Sequence, residues 1–288
     1  MEDKIYKKEE VVIKGKHPLP ITLDVNYYFN PKQPELKRPL VIFCHGFKGF
    51  KDWGTFNLIA KYFALEQFFL VKLNFSHNGT SPENLSDIHD TEAFGLNNFE
   101  IELDDLGTVI DWLADSKNPY FNQYDFNNLN LVGHSRGGAL VMLKSVEDKR
   151  VQKVACWAPV NDLEKYMYLS DIEKWKSTGV SYVENKRTGI ELPLYFQFYE
   201  NFFKHRERFD LKNNLMKLDK PLLLLHGTDD QVVSVKDSEW IYENFDHAIM
   251  VHVDNGDHTF GGKHPWHEEI LPEKLNFVVE ETIEFFTL

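Results

Sequence analysis

The chain reads as an α/β protein: a mostly parallel, doubly wound sheet with an inserted cap. Three observations predict this. Short apolar runs without polar alternation recur along the 288 residues, segments with helical apolar spacing separate them, and one aromatic-rich stretch interrupts the pattern. Strands buried on both faces lose their alternation, and helices between them imply right-handed crossovers.

Residues 11–14 and 21–29 alternate apolar and polar side chains around Gly15, Pro18 and Pro20, which predicts an antiparallel hairpin at the start of the sheet. Apolar runs at 40–43, 68–73, 129–132 and 151–157 predict the next strands, each bounded by Pro, Gly or Asn. Two more fall at 222–225 and 249–253. Between them, Phe99, Leu103, Leu106, Ile110 and Leu113 fall at steps of three and four, with Glu100, Glu102, Asp104, Asp105 and Asp111 on the other faces, so an amphipathic helix is expected. Asp104 reads as part of a solvated face and Asp105 as a buried polar partner. Weaker helical patterns cover 55–66, 137–148, 235–244 and 272–287.

Residues 161–215 break the alternation. They hold no buried-strand run but carry Tyr166, Tyr168, Trp175, Tyr182, Tyr195, Phe196, Phe198, Tyr199, Phe202 and Phe203. This stretch is expected to be a cap inserted in one domain spanning 1–288, with its rings over a ligand or against the core.

Composition narrows the function classes. Apolar residues make up 42% and charged residues 27%, ordinary values for a folded enzyme-sized body. The net charge is 32 − 45 = −13, which repels nucleic-acid phosphates and anionic headgroups, so neither nucleic acid nor membrane is expected as a partner. No apolar run approaches the roughly 20 residues that span a bilayer. Met1-Glu2-Asp3-Lys4 has no hydrophobic signal region behind it, and a cytoplasmic location is expected. Cys44 and Cys156 lie in apolar runs and read as buried thiols rather than a disulfide. No clustered Cys and His set suggests a metal, and no cofactor is expected.

The sharpest local pattern is Gly133-His134-Ser135-Arg136-Gly137-Gly138, directly after the 129–132 strand and before a helix. A Gly-x-Ser-x-Gly elbow needs this strand–turn–helix context, because the serine sits in a tight turn and side chains at 133 and 137 would strike the neighbouring strand and helix. The following helix directs free amides and its positive dipole end toward a developing oxyanion. An acid and a base are expected next, in that order, from loops after later strands. The 222–225 strand is followed by His226-Gly227-Thr228-Asp229-Asp230-Gln231-Val232-Val233, and the 249–253 strand by Asn255-Gly256-Asp257-His258-Thr259-Phe260. Of the 12 histidines only His258 has this placement; His252 falls in a strand, and His264 and His267 fall in a later loop.

From His45 to His258 the chain resembles the α/β-hydrolase superfamily. The resemblance implies a Ser135–His258–Asp230 triad, with Asp230 carried over from a His-Gly-x-x-Asp-x-x-Val segment and Asp229 as its rival. It also implies that His45-Gly46-Phe47-Lys48-Gly49 supplies one oxyanion-hole donor, the amide of Phe47, with that of Arg136 as the second. The Arg136 side chain either binds an anionic substrate group or pairs with a nearby acid. His-Gly-Phe-x-Gly, Leu103-Asp104-Asp105-Leu106, Gly-His-Ser-x-Gly-Gly and Asp-His-x-Phe are similar to the serine esterase and dienelactone-hydrolase-like branch, near cinnamoyl and feruloyl esterases.

This resemblance implies hydrolysis of a small-molecule acyl ester through an acyl-enzyme. An aryl or hydrophobic acyl group would suit an aromatic cap; the oligomeric state stays open. Two alternatives share these residues: an aminopeptidase-like serine peptidase acting on short peptides, and a non-catalytic ligand-binding protein of the same fold. A haloalkane dehalogenase carries an aspartate nucleophile where this chain has Ser135.

Overall fold

The computed structural model describes residues 5–85 and 87–288. Residues 1–4, on which the reading of the chain start rested, lie outside the described residues, as does Ser86. Strands β1 (Ile5–Lys14) and β2 (Pro20–Phe29) form the expected antiparallel hairpin. Then come β3 (Arg38–Cys44), α1 (Phe56–Leu65), β4 (Phe69–Asn74), a short α2 (Thr91–Leu96) and α3 (Phe99–Ala114). Next follow β5 (Tyr124–His134), α4 (Arg136–Glu147) and β6 (Val151–Trp157).

Between β6 and the next strand of the main sheet run α5 (Ile172–Thr178), β7 (Val180–Asn185), β8 (Ile190–Tyr195), α6 (Gln197–Lys204), α7 (Arg206–Phe209) and α8 (Leu211–Leu215). The chain closes with β9 (Leu222–Gly227), α9 (Val235–Asn244), β10 (Ala248–Val253) and α10 (Glu273–Thr287).

Eight of these strands form one sheet in the order β1-β2-β4-β3-β5-β6-β9-β10. Only the β1–β2 and β2–β4 pairs are antiparallel. Because successive strand side chains point to opposite faces, each parallel strand feeds two cores. Leu40, Ile42, Leu129, Leu131, Leu222 and Leu224 join a cluster with α3 and α4, while Val41, Phe43, Val132, Trp157, Leu223 and Leu225 pack with α1 and α10. That double burial is why these runs carry no polar alternation. Helix α3 starts where the Asn98 side chain accepts the Ile101 amide at 3.0 Å. Its Leu103, Leu106 and Ile110 are fully buried, each contributing about 1.5–3 kcal/mol relative to exposure.

Two readings need correction. Residues 161–215 contain the β7–β8 hairpin, a separate two-stranded sheet. Its strands are short, β7 is only partly buried while β8 buries Leu192, Pro193 and Leu194, and Pro193 removes a ladder donor, a loss tolerated here because the ribbon is all edge. Glu102, expected on a polar face of α3, is 1% exposed. That side of α3 faces α4 rather than solvent, and Glu102 meets Arg136 there. Most rings of 161–215 pack inward: Phe198, Phe202 and Phe209 lie 5.0, 6.1 and 5.7 Å from Phe99 on α3. Among the described residues no helix is long and apolar enough to cross a membrane.

Candidate active site

The carboxyl ends of β3, β5, β9 and β10 lie along one edge of the sheet, so the loops leaving them meet. After β5 the chain turns at Ser135 with φ +57° and ψ −122°, a strained conformation for a non-glycine residue, and enters α4 at once. The flanking glycines permit it. A Cβ on Gly133 would lie 2.3 Å from the Gly137 carbonyl oxygen, and one on Gly137 would lie 2.5 Å from the carbonyl of Cys44 at the end of β3. The Ser135 amide donates to the Trp157 carbonyl at 2.8 Å, anchoring the elbow to β6.

The Ser135 Oγ lies 3.0 Å from Nε2 of His258, and His258 Nδ1 lies 2.7 Å from Oδ2 of Asp230. The partners assign the tautomer: Nδ1–H donates to the carboxylate, leaving Nε2 to accept the serine hydroxyl. Asp229 is exposed and does not reach His258. Oδ1 of Asp230 accepts the amides of Val232 and Val233 at 2.8 and 2.9 Å. Its Oδ2 also receives Nε2–H of His226 at 3.2 Å, and the His226 Nδ1 accepts the Ser238 hydroxyl at 2.7 Å. Burial alone would raise the Asp230 pKa, but hydrogen bonds from His226 and His258 outweigh it and hold the carboxyl well below its ordinary range. Asp230 is thus an ionised acceptor.

The loop after β3 runs against the serine: a Cβ on Gly46 would lie 2.8 Å from that of Ser135. His45 beneath it is 2% exposed, its Nδ1–H donating to the Gly46 carbonyl at 2.9 Å. Burial pushes its pKa down to about 4, so it stays neutral. The amides of Phe47 and Arg136 donate to no other group among the described residues. The Arg136 side chain turns away from the serine, its Nη2 on Glu102 Oε1 at 2.5 Å and its guanidinium 4.5 Å from the Phe47 ring centroid.

The sequence reading passed over two residues. His134 donates Nε2–H to the His258 carbonyl at 2.8 Å, with the two rings 4.8 Å apart. Burial, then the His258 charge, push its pKa down to about 3, so it stays neutral. Glu102 is the other, a buried counter-ion whose signal, an acid at a position facing α4, is invisible without the helix packing.

Two clefts open at Ser135 and His258. The smaller, about 150 Å³, is lined by Gly46, Phe47, Trp53, Phe56 and His134. The larger, about 400 Å³, is mostly apolar, with Val160, Tyr166, Leu169, Val183, Val232 and Val233. Of the aromatic residues singled out in 161–215, Tyr166 is the one in these walls. Glu10, Asp24 and Asp52 converge elsewhere, but Lys8, Lys51 and Lys72 are interleaved with them. These carboxylates are already neutralised by ammonium groups, an arrangement that disfavours a cation.

Residues 39–202 match the family model of the alpha/beta hydrolase fold, and the chain belongs to that family. A protein of Mycoplasma genitalium that carries the name esterase/lipase 2 is 23% identical over 269 residues, covering 83% of this chain and 90% of that one. The esterase domain of a Rhodothermus marinus protein superposes with a TM-score of 0.66 at 19% identity, covering 97% of both chains. Est1E from Butyrivibrio proteoclasticus with ferulic acid bound gives 0.68 at 16% identity, covering 96% of this chain and 98% of that one. At these identities the structural likeness establishes the fold.

Proposed function

We propose that the protein is a serine hydrolase that cleaves carboxylic esters of small molecules through an acyl-enzyme, with Ser135 as nucleophile, His258 as general base and Asp230 as the orienting acid. The observation that carries this is the unbroken relay from the Ser135 hydroxyl through His258 to Asp230, at 3.0 and 2.7 Å, opening onto two clefts. His258 Nε2 takes the hydroxyl proton as Oγ bonds to the ester carbonyl carbon; the imidazolium then returns it to the departing alkoxide as the C–O bond breaks. Water, deprotonated by the same nitrogen, releases the acid. The amides of Phe47 and Arg136, both without an internal acceptor, would receive the oxyanion, a contribution of about 3–4 kcal/mol per donor in comparable sites. We read the insertion at 161–215 as a cap on the core domain, its Tyr166 in the wall of the larger cleft. The esterase names of the relatives and the ferulic acid held by Est1E support a small acyl substrate.

A fluorophosphonate probe is expected to label wild type and not Ser135→Ala. Absence of label on folded wild type would remove the catalytic reading and leave ligand binding without turnover. Faster cleavage of an amino-acyl nitroanilide than of a nitrophenyl ester would instead make the protein a peptidase.

A further inference from the structure

We propose that the ammonium of Lys48 sets the specificity of the cleft by recognising a carboxylate on the acyl arm of the substrate. This rests on the esterase reading above and extends it to a substrate class. Lys48 directly follows Phe47 and lines both clefts, so its half-buried side chain stands where they join at Ser135. Its backbone is in the left-handed region, with φ +59°. The loop conformation therefore fixes where the side chain departs.

An ammonium carries three donors. The Lys48 Nζ gives one to the Glu184 carbonyl at 3.0 Å and lies 5.6 Å from the Phe47 ring centroid, but it has no carboxylate partner among the described residues. Two other cations nearby, Lys165 and Arg136, are already paired. Lys165, also in the larger cleft, holds both Asp237 oxygens at 2.9 and 2.7 Å, and Arg136 is closed by Glu102. Burial, then the neighbouring Lys186 ammonium, push the Lys48 pKa down, and the Glu184 carboxylate offsets this only in part. A carboxylate on the substrate that reaches this ammonium would add a charge-assisted hydrogen bond. Val160, Leu169, Val183 and Val232 suit the methylenes between that anion and the scissile carbonyl. The overall charge of −13 repels anions at long range, but salt screens it beyond about 8–10 Å, and contact with Lys48 decides the last step.

The test compares kcat/KM for mono-(4-nitrophenyl) glutarate with that for 4-nitrophenyl hexanoate, an uncharged ester of similar length. The glutarate-to-hexanoate ratio is expected to exceed one in wild type, to fall at least about tenfold in Lys48→Met, the loss of one charge-assisted hydrogen bond, and to be largely kept in Lys48→Arg. A merely structural loss would lower both esters and leave the ratio. A wild-type ratio below one, or a smaller fall in Lys48→Met, overturns the proposal. If Lys48→Met does not fold, Lys48→Gln takes its place: the ratio should again fall at least about tenfold, and a smaller fall overturns the proposal. Wild type inert to both esters would overturn the hydrolase reading itself, a failure distinct from a reversed ratio.

Discussion

His134 occupies the variable position of the elbow, yet two contacts bind it to His258, the base of the proposed relay: a hydrogen bond to the His258 carbonyl and ring packing at 4.8 Å. We expect His134→Phe, which keeps the ring and loses the donor, to lower kcat about tenfold with a smaller change in KM, roughly the value of one hydrogen bond. His134→Gln retains an N–H and should recover part of the rate. Steady-state kinetics check this; equal losses in both variants, or an effect confined to KM, would detach His134 from the relay. The glycines around Ser135 declare a tight turn in the sequence because they answer a local steric demand. His134 declared nothing, because its partner is a backbone carbonyl 124 residues away.

At the scale of elements, α3 and α4 are joined through Glu102 and Arg136, both nearly buried. Burial raises the Glu102 pKa, and Arg136 together with the Asn97 amide pulls it back. Removing the acid alone leaves a buried cation, so Glu102→Ala should cost about 3–5 kcal/mol in urea unfolding, whereas Glu102→Ala with Arg136→Met should recover most of it. A single variant as stable as wild type would show that solvent already reaches the guanidinium. The periodicity of α3 was legible because its leucines repeat at helical spacing over sixteen residues. The β7–β8 hairpin was not, since its strands are short, mixed in burial and interrupted by Pro193.

Across the whole molecule, buried titrating groups make stability depend on pH. His45, His77 and His134 are pushed down to about 4, 4 and 3, burial being the first cause in each. Each is neutral in the fold and ordinary when unfolded, so its contribution is complete above about pH 6.5 and is lost as pH falls toward 4. Asp105 runs the other way. Burial raises it to about 7 against the Ser76 hydrogen bonds, so its contribution is complete below about pH 3.9 and is lost as pH rises through 7. Three groups outweigh one, and Tm should fall between pH 6.5 and 4.5. Thermal melts across that range check this; a Tm that holds or rises on acidification would contradict it. Asp105→Asn should steepen the fall.

The sequence by itself determined what depends on neighbours along the chain: where strands and helices alternate, which faces are apolar, and where glycine alone permits the turn that lifts Ser135 into α4. Only the tertiary structure decided what depends on distant segments meeting. It brings Asp230 rather than Asp229 to His258, buries Glu102 against Arg136, and leaves Lys48 between two clefts with no ion-pair partner among the described residues. The physical reason is range. Steric and periodic constraints act over a few residues and leave a pattern in the sequence, whereas hydrogen bonds and charge pairs are satisfied by whichever group the fold brings within about 3 Å.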